Sequence, residues 1–443
     1  MIVSEIGTRA ASLLSEYIQI NTTNPPGNET LTAEFFAQQL RQRGLDPKIF
    51  SSAPGRDNVV ARLKGRGDHN KGPLLLYHHM DVVTADPAEW THDPLSGDIE
   101  GGFIYGRGAL DMKCFGIMHL MALDMLLEQD VSLDRDIIFM AAADEEQEGA
   151  YGAAWMVENH WDEIAPEIVW DEGGYGIRGL LKDELIFYVS VAEKNGLWTK
   201  LIASGEPGLG SIPRGNNPVD VLTAALHKLQ KHSFPPRLTD TSAEMLRRLG
   251  KTAEFPQSFL LQHARNPLLW LLVSRALAGM PTLNAMMRNL VTPTMLHASE
   301  KENVITSQAK AVLDVRLLPD EDPVQFFARL QDLLADERLR LETPDDLSMP
   351  AVTAFEHPFF AGLEAGITGM LPDCQVAPML TPGGTDSRFF RRKGISAFGL
   401  IPIIIDPDEL ERMHGIDERI SVDNLVLGSL VVADVVERVC GGG

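Results

Sequence analysis

Leu74-Leu75-Leu76-Tyr77-His78-His79-Met80-Asp81-Val82-Val83, followed after an intervening loop by Gly106-Arg107-Gly108-Ala109-Leu110-Asp111-Met112-Lys113-Cys114, is the stretch that decides how this chain folds. Its first four residues are an unbroken apolar run, which predicts a buried strand. The strand delivers His79 and Asp81 at its end. The Gly-rich segment is a turn that carries Asp111 into a helix. A His and two Asp at strand and turn ends predict a metal site at the carboxyl edge of a sheet, where open α/β folds place their ligands.

The same grammar extends to both sides. Helical spacing of apolar residues predicts helices over 5–20, 29–43 and 113–128, with Asn24-Pro25-Pro26-Gly27 stopping the first. Strands are predicted near 46–50, 58–63 and 74–77. Ile137–Ala141 is a further buried strand ending in Asp144-Glu145-Glu146, and Glu167–Trp170 ends in Asp171-Glu172. Strands alternating with helices, with acids at the strand ends, define an α/β domain with a mostly parallel central sheet. The pattern changes after about residue 190. There a strand at 198–203, a helix opened by Asn217-Pro218, mostly helical residues 236–282, strands near 304–306 and 310–317, a helix at 322–335 and a strand near 338–343 predict a smaller α+β unit. From about 350 the first pattern resumes, with a helix at 357–369, a Gly-rich turn at 381–388, a strand at 396–405 and a helix at 422–439. The expected division is 1–190 and 348–443 as one catalytic domain, interrupted by 191–347. Gly441 to Gly443 reads as a flexible tail.

With 443 residues the chain is too long for one ordinary core, and 44% hydrophobic with 23% charged residues fits a globular protein. A formal net charge of -23 without a basic stripe argues against a nucleic-acid partner. No apolar run is long enough to span a membrane. Cys114, Cys374 and Cys440 are too few and too scattered for a disulfide framework or a thiolate zinc site. With no basic segment leading into an apolar core at the start, a cytoplasmic location is expected.

The strand-end residues then line up as His79, Asp81, Asp111, Glu145, Glu146, Glu172 and, much later, His414. Two His and three carboxylates can hold two zinc-like ions if one carboxylate bridges them. Asp81 could orient His79 by accepting its other ring N–H. Adjacent Glu145 and Glu146 point different ways, so one can bind metal while the other acts as a base.

The chain resembles the M20 metallopeptidases, the family of aminoacylase-1, carboxypeptidase G2, succinyl-diaminopimelate desuccinylase and carnosinase. The resemblance rests on Thr23–Gly27, His79–Val83, Gly106–Lys113, Asp144-Glu145-Glu146, Asp171-Glu172-Gly173, Gly383–Arg388 and His414–Arg419, all in order. It implies a catalytic domain interrupted by a lid through which two copies pair as a homodimer. It implies two divalent ions, zinc first and cobalt or manganese as alternatives, with Asp111 as the bridge. His79 and Glu172 would complete one site, Glu146 and His414 the other. Glu145 would take a proton from the water between the ions and pass it to the leaving nitrogen. Asn303, Arg316, Gly384 and Arg388 fall in segments that hold substrate, and the two guanidinium groups suit a substrate carboxylate. The implied reaction is cleavage of a peptide or N-acyl amide in a small carboxylate-bearing molecule such as a dipeptide or an N-acyl amino acid.

One position departs from that pattern. Gly205-Glu206-Pro207-Gly208-Leu209-Gly210-Ser211 carries Leu209 where the family has a His that stabilises the oxyanion in the partner subunit's site. Losing one such donor costs about 3–4 kcal/mol. Three expectations follow: a weakly active or non-catalytic metal-containing binding protein, a substitute donor such as His297, Asn216 or His78, or an altered reaction on a carbamate or other C–N bond. Cys114 is expected to pack as a reduced thiol.

Overall fold

Leu74–His79 lies inside a ten-stranded sheet, every one of its residues buried. It runs parallel to Ile137–Ala142 on one side and to Ile168–Asp171 on the other, which explains its unbroken apolar character. The computed structural model describes residues 3–67, 71–179, 184–213 and 215–442. Across the sheet the strands follow the order Lys48–Ala53, Arg56–Leu63, Ile137–Ala142, Leu74–His79, Ile168–Asp171, Ser396–Gly399, Leu185–Glu193, Gly176–Arg178 and Ile404–Ile405, and Gln375–Thr381 adds to Leu185–Glu193. The middle of the sheet is parallel, and antiparallel pairs occur toward its margins.

Side chains alternate across the sheet as the pleat requires. Leu74 and Leu76 join the core under helices Val3–Ile18, Lys113–Glu128 and Val422–Cys440, whereas Leu75 and Tyr77 face Ala153, Met156 and Phe390. His78 follows Leu74 and Leu76. It is fully buried, with its ring 4.7 Å from that of Phe36 and 5.3 Å from that of Phe139. It is therefore a packed neighbour of the ligand candidate and does not reach substrate. Cys114 is buried, as are the other two cysteines, and all three are unpaired.

A second, antiparallel sheet has the order Leu290–His297, Gln308–Leu317, Asn195–Ser204 and Leu339–Glu342. Helices Pro218–Lys231 and Pro323–Leu334 pack on it. Asn217 caps the first of these by accepting from Val219 N at 3.1 Å, with Pro218 in the first turn. The helices Asp240–Thr252, Gln257–Gln262, Pro267–Leu277 and Pro281–Met286 go elsewhere. Met245, Leu246, Leu249, Leu283 and Met286 pack against Ile186, Tyr188, Ala377 and Met379 of the large sheet.

Four details differ from the sequence-based expectation. The strand expected at 396–405 is two strands with different neighbours, Ser396–Gly399 and Ile404–Ile405, and Pro402 lies in the break. Gln375–Thr381 is a strand whose Pro378 hides it, tolerated because it pairs with Leu185–Glu193 alone among the described strands. Leu290–His297 is an edge strand, mostly exposed and interrupted at Pro293, so it lacks an apolar signature. The terminal glycines are not loose: Gly441 bridges Leu133 and Gly442 N donates to Ser132 O at 2.9 Å, while Gly443 lies outside the described residues.

Leu246 is fully buried where the helical segment meets the large sheet. Leu246→Ala is expected to lower stability in urea unfolding by about 2–5 kcal/mol. A loss within about 0.5 kcal/mol, typical of exposed positions, would show that these helices are not docked there.

Candidate active site

His79 closes its strand with both ring nitrogens engaged. Nδ1 lies 2.9 Å from the Asp81 backbone carbonyl and Nε2 lies 3.1 Å from Asp111 Oδ1. Asp81 thus orients the ring, but through its backbone. Its carboxylate is 3.6 Å from Nδ1 and is otherwise committed. Oδ1 accepts from Glu145 N at 3.0 Å, and Oδ2 accepts from Glu146 N at 3.1 Å and from Asn24 Nδ2 at 2.8 Å. One buried carboxylate therefore pins the backbone of both adjacent glutamates.

Those glutamates sit in a single tight turn, Glu145–Gln147, flanked by Asp144 at φ 72° and Glu148 at φ 77°. Left-handed backbone on both sides is uncommon for non-glycine residues and must be held by neighbours. Asp144 is held by Arg56 at 2.6 Å, Asn24 at 3.0 Å and Tyr151 N at 3.0 Å. Arg56 in turn pairs with the buried Glu29 at 2.9 Å.

Asp111 faces both imidazoles. Its Oδ1 points to His79 and its Oδ2 is 3.2 Å from His414 Nε2. The loop that presents it is fastened by the buried Glu418, which accepts from Leu110 N at 2.7 Å and from Asp111 N at 3.2 Å and pairs with Arg107 at 2.6 Å. Glu146 Oε1 is 3.3 Å from His414 Nε2 and Glu172 Oε1 is 3.7 Å from His79 Nε2. Ligand atoms of His79, Asp111 and Glu146 lie within 4.8 Å of one another, and so do those of His79, Glu145 and Glu172. By proximity alone Glu145 could ligate as well as act as a base.

The electrostatics follow from burying like charges together. Burial pushes Glu145 and Glu172 well above the ordinary carboxylate range, and neighbouring acids add to the shift. Burial also raises Glu146. Asp111 goes the other way: burial opposes its ionisation, but hydrogen bonds to His414 and His79 hold it below the usual range. The same contacts with Asp111 and Glu146 raise His414 to about 10. For His79, burial is outweighed by its hydrogen bonds to Asp111 and Asp81, and the ring is raised well above its ordinary value. Two divalent cations suit this donor set of imidazoles and carboxylates. The buried Glu146 Oε1 has only the 3.3 Å contact with His414 and no other polar partner, which leaves it room for a cation.

These residues line a cavity of about 720 Å³. Arg316 and Arg388 lie on its other side and converge on Gly384, where a Cβ would be 2.8 Å from Arg388 Nη1 and 4.0 Å from Arg316 Nη1. Arg316 is braced by Asp314 at 2.7 Å and stacks over Trp198, while Arg388 donates to Glu148 O at 2.9 Å. The turn at 382–386 is fixed by Glu193, which accepts from Thr385 N at 2.6 Å and pairs with Arg391 at 2.8 Å.

Asn303 and Leu209 are brought together, but away from this cavity. Leu209 pairs with Val304 in a small two-stranded antiparallel sheet, Gly210 N donates to Asn303 O at 2.9 Å, and Leu209 is 56% exposed. Neither is among the residues lining the cavity of its own chain, nor are His297 and Asn216. Sequence reasoning passed over Glu418 and Arg107, although both lie inside the quoted motifs. It also passed over the Asn24–Arg56–Asp144 support, which no local pattern announces.

Across the cavity an acidic wall thus faces a basic one. Comparison with known proteins makes the class specific: the chain belongs to peptidase family M20/M25/M40, whose model matches residues 75–438. It is accordingly a hydrolase of the M20 metallopeptidase and amidohydrolase type. It is 31% identical over 380 residues to a carboxypeptidase S-like 2 protein of Dictyostelium discoideum, covering 83% of this chain and 71% of that one. It is 29% identical to the N-fatty-acyl-amino acid synthase/hydrolase PM20D1 of Xenopus tropicalis, covering 86% and 76%. Among solved structures, the M20 metallo-carboxypeptidase Sso-CP2 of Sulfolobus solfataricus superposes with a TM-score of 0.73 at 19% identity, covering 97% and 98%. A dinuclear metal-binding M20 peptidase of Bacillus subtilis gives a TM-score of 0.61 at 14% identity, covering 98% of each chain. These two likenesses show the fold.

Ligation requires neutral imidazole, so a metal must displace the proton that His414, at about 10, carries at neutral pH. Affinity is expected to rise with pH up to that value. Zinc addition at neutral pH should release protons to an indicator dye, with about one fewer per chain in His414→Ala. Equal release from both proteins would contradict the arrangement.

Proposed function

We propose that this chain is a two-metal hydrolase that cleaves the amide bond of a small carboxylate-bearing substrate, a dipeptide or an N-acyl amino acid. The observation that carries the reading is Asp111, whose two carboxylate oxygens each face a different imidazole, with Glu146 and Glu172 completing the two sides. His79, Asp111 and Glu172 would hold one ion, and Asp111, Glu146 and His414 the other. When bound, two such ions polarise a scissile carbonyl and acidify water, zinc being the first choice and cobalt or manganese also suited to these donors.

The chain's own residues do the rest. Glu145 is held by its backbone bond to Asp81, and its carboxylate lies within 4.8 Å of ligand atoms of His79 and Glu172. Its raised proton affinity suits a group that takes a proton from the attacking water and returns it to the leaving nitrogen. Arg316 and Arg388 bind the substrate carboxylate, and Gly384 leaves the space between them open. Arg316 lies on the inserted unit and Arg388 on the catalytic one, so substrate ties the two together. On this reading residues 191–347 form a lid between catalytic segments 1–190 and 348–443. Exposed Leu209 and Asn303 act only through a second copy, which makes a homodimer part of the proposal. No helix among the described residues is long and apolar enough to cross a membrane. Three buried free thiols suit a reducing compartment, and a cytoplasmic setting completes the reading.

Chelation should abolish hydrolysis of a panel of dipeptides and N-acyl amino acids, and zinc, cobalt or manganese should restore it. Glu145→Gln should lower kcat by about 10²–10⁴-fold while bound metal is retained. Undiminished turnover in that variant would assign the base elsewhere. Arg388→Ala should mainly raise KM for carboxylate substrates, and an amidated analogue should respond little to the change.

A further inference from the structure

The helical segment at 240–286 has two surface features that the chemistry does not use. It exposes large apolar side chains, and its charge is opposite to that of the rest of the molecule. Phe255 is 82% exposed, Phe259 47%, Leu268 79%, and Leu271 and Leu272 53% each. No other Phe is exposed among the described residues, and no other Leu is as exposed as Leu268. In helix Pro267–Leu277, Leu268, Leu271 and Leu272 share one face at i, i+3 and i+4, and the exposed Arg275 continues it at i+7. The inner face already has its packing, since Val273 and Leu277 are buried in the cluster that docks the segment on the large sheet. Asn266 fixes the start of the helix by accepting from Leu268 N at 2.9 Å. Residues 245–299 contain Arg247, Arg248, Lys251, Arg265, Arg275 and Arg288 against the single acid Glu254, in a chain of net charge -23.

Surface pairs engage some of these cations. Arg247 and Arg248 share Glu244, Arg248 also reaches Glu364, and Arg265 pairs with Asp240. Counting Asp240 and Glu244 with the segment still leaves six cations to three acids. Lys251, Arg265 and Arg275 are all exposed. We propose that this face docks on the surface of an anionic lipid bilayer. Exposed Phe and Leu interleaved with cations fit the boundary between acyl chains and charged headgroups, where each meets a matching partner. The same charge pattern orients the molecule. Anionic headgroups repel the acidic remainder of the chain, so this segment is the part that approaches. A second copy of the chain is a poorer occupant, because a twofold axis would set two cationic segments against each other. The proposal does not depend on the amide chemistry, but it concerns the surroundings of that site. The next helix, Pro281–Met286, lines the active-site cavity through Thr282, Leu283 and Met286. The docking face and one wall of the cavity are therefore neighbours in the chain.

The test is vesicle sedimentation with the full chain, using phosphatidylcholine alone and phosphatidylcholine mixed with phosphatidylglycerol. The chain should bind the mixed vesicles about tenfold or more tightly than phosphatidylcholine, and rising salt should erase the difference. Leu268→Ser combined with Leu272→Ser should weaken binding to the mixed vesicles by about tenfold or more. Lys251→Glu combined with Arg275→Glu should abolish the preference for phosphatidylglycerol. All four positions are exposed, so both double variants should keep the native circular dichroism and melting temperature. The lipid preference and salt response of the native chain decide the proposal even if a variant melts early. No binding to the mixed vesicles, or unchanged binding in both double variants, overturns it. Light scattering without lipid covers the other occupant: an assembly that dissociates only in the leucine variant assigns this face to a second copy and likewise overturns the proposal.

Discussion

Asp111, Glu145, Glu146 and Glu172 are packed around two imidazoles in one cavity, and the mutual repulsion of those four carboxylates is the constraint on which the rest of the structure depends. Two like charges about 4 Å apart repel by about 4 kcal/mol even in partly screened surroundings. Left alone, such a cluster would splay or take up protons, and the raised proton affinities of three of its members express that tension. Divalent cations would relieve it, since they are the largest local charges a protein site can recruit.

Much of the surrounding architecture holds these groups together in spite of the repulsion. Each acid stands at the end of a buried strand or in a turn clamped by a second buried charge. Asp81 binds the amides of Glu145 and Glu146, Arg56 secures Asp144 beside them, and Glu418 with Arg107 fastens the Asp111 loop. These supports explain why charged residues are buried so deeply around the cavity, a state that is unfavourable unless they are paired. Across the cavity the two arginines balance the field.

How much of this was legible in sequence depended on burial. Leu74–Tyr77, Ile137–Ala141 and Ile168–Asp171 are covered on both faces, so they read as apolar runs, and the sequence alone aligns the acids at their ends. Half-exposed and edge elements gave no such signal. Leu290–His297 exposes most of its residues, Gln375–Thr381 contains a proline, and the run at 396–405 breaks where Pro402 removes an amide. The orientation of His79 by a backbone carbonyl was also hidden, because a sequence shows the carboxylate of Asp81 and not where its chain turns.

On the proposed reading this cluster would hold two divalent ions, with Asp111 serving both. The most direct measurement is the number of divalent ions retained per chain after zinc loading and desalting, determined by elemental analysis for the native sequence and for Asp111→Asn. The account predicts two ions for the native chain and loss of most of that content in the variant, which removes the shared charge while keeping the shape. One ion or none in the native chain, or two retained without the Asp111 carboxylate, would contradict it.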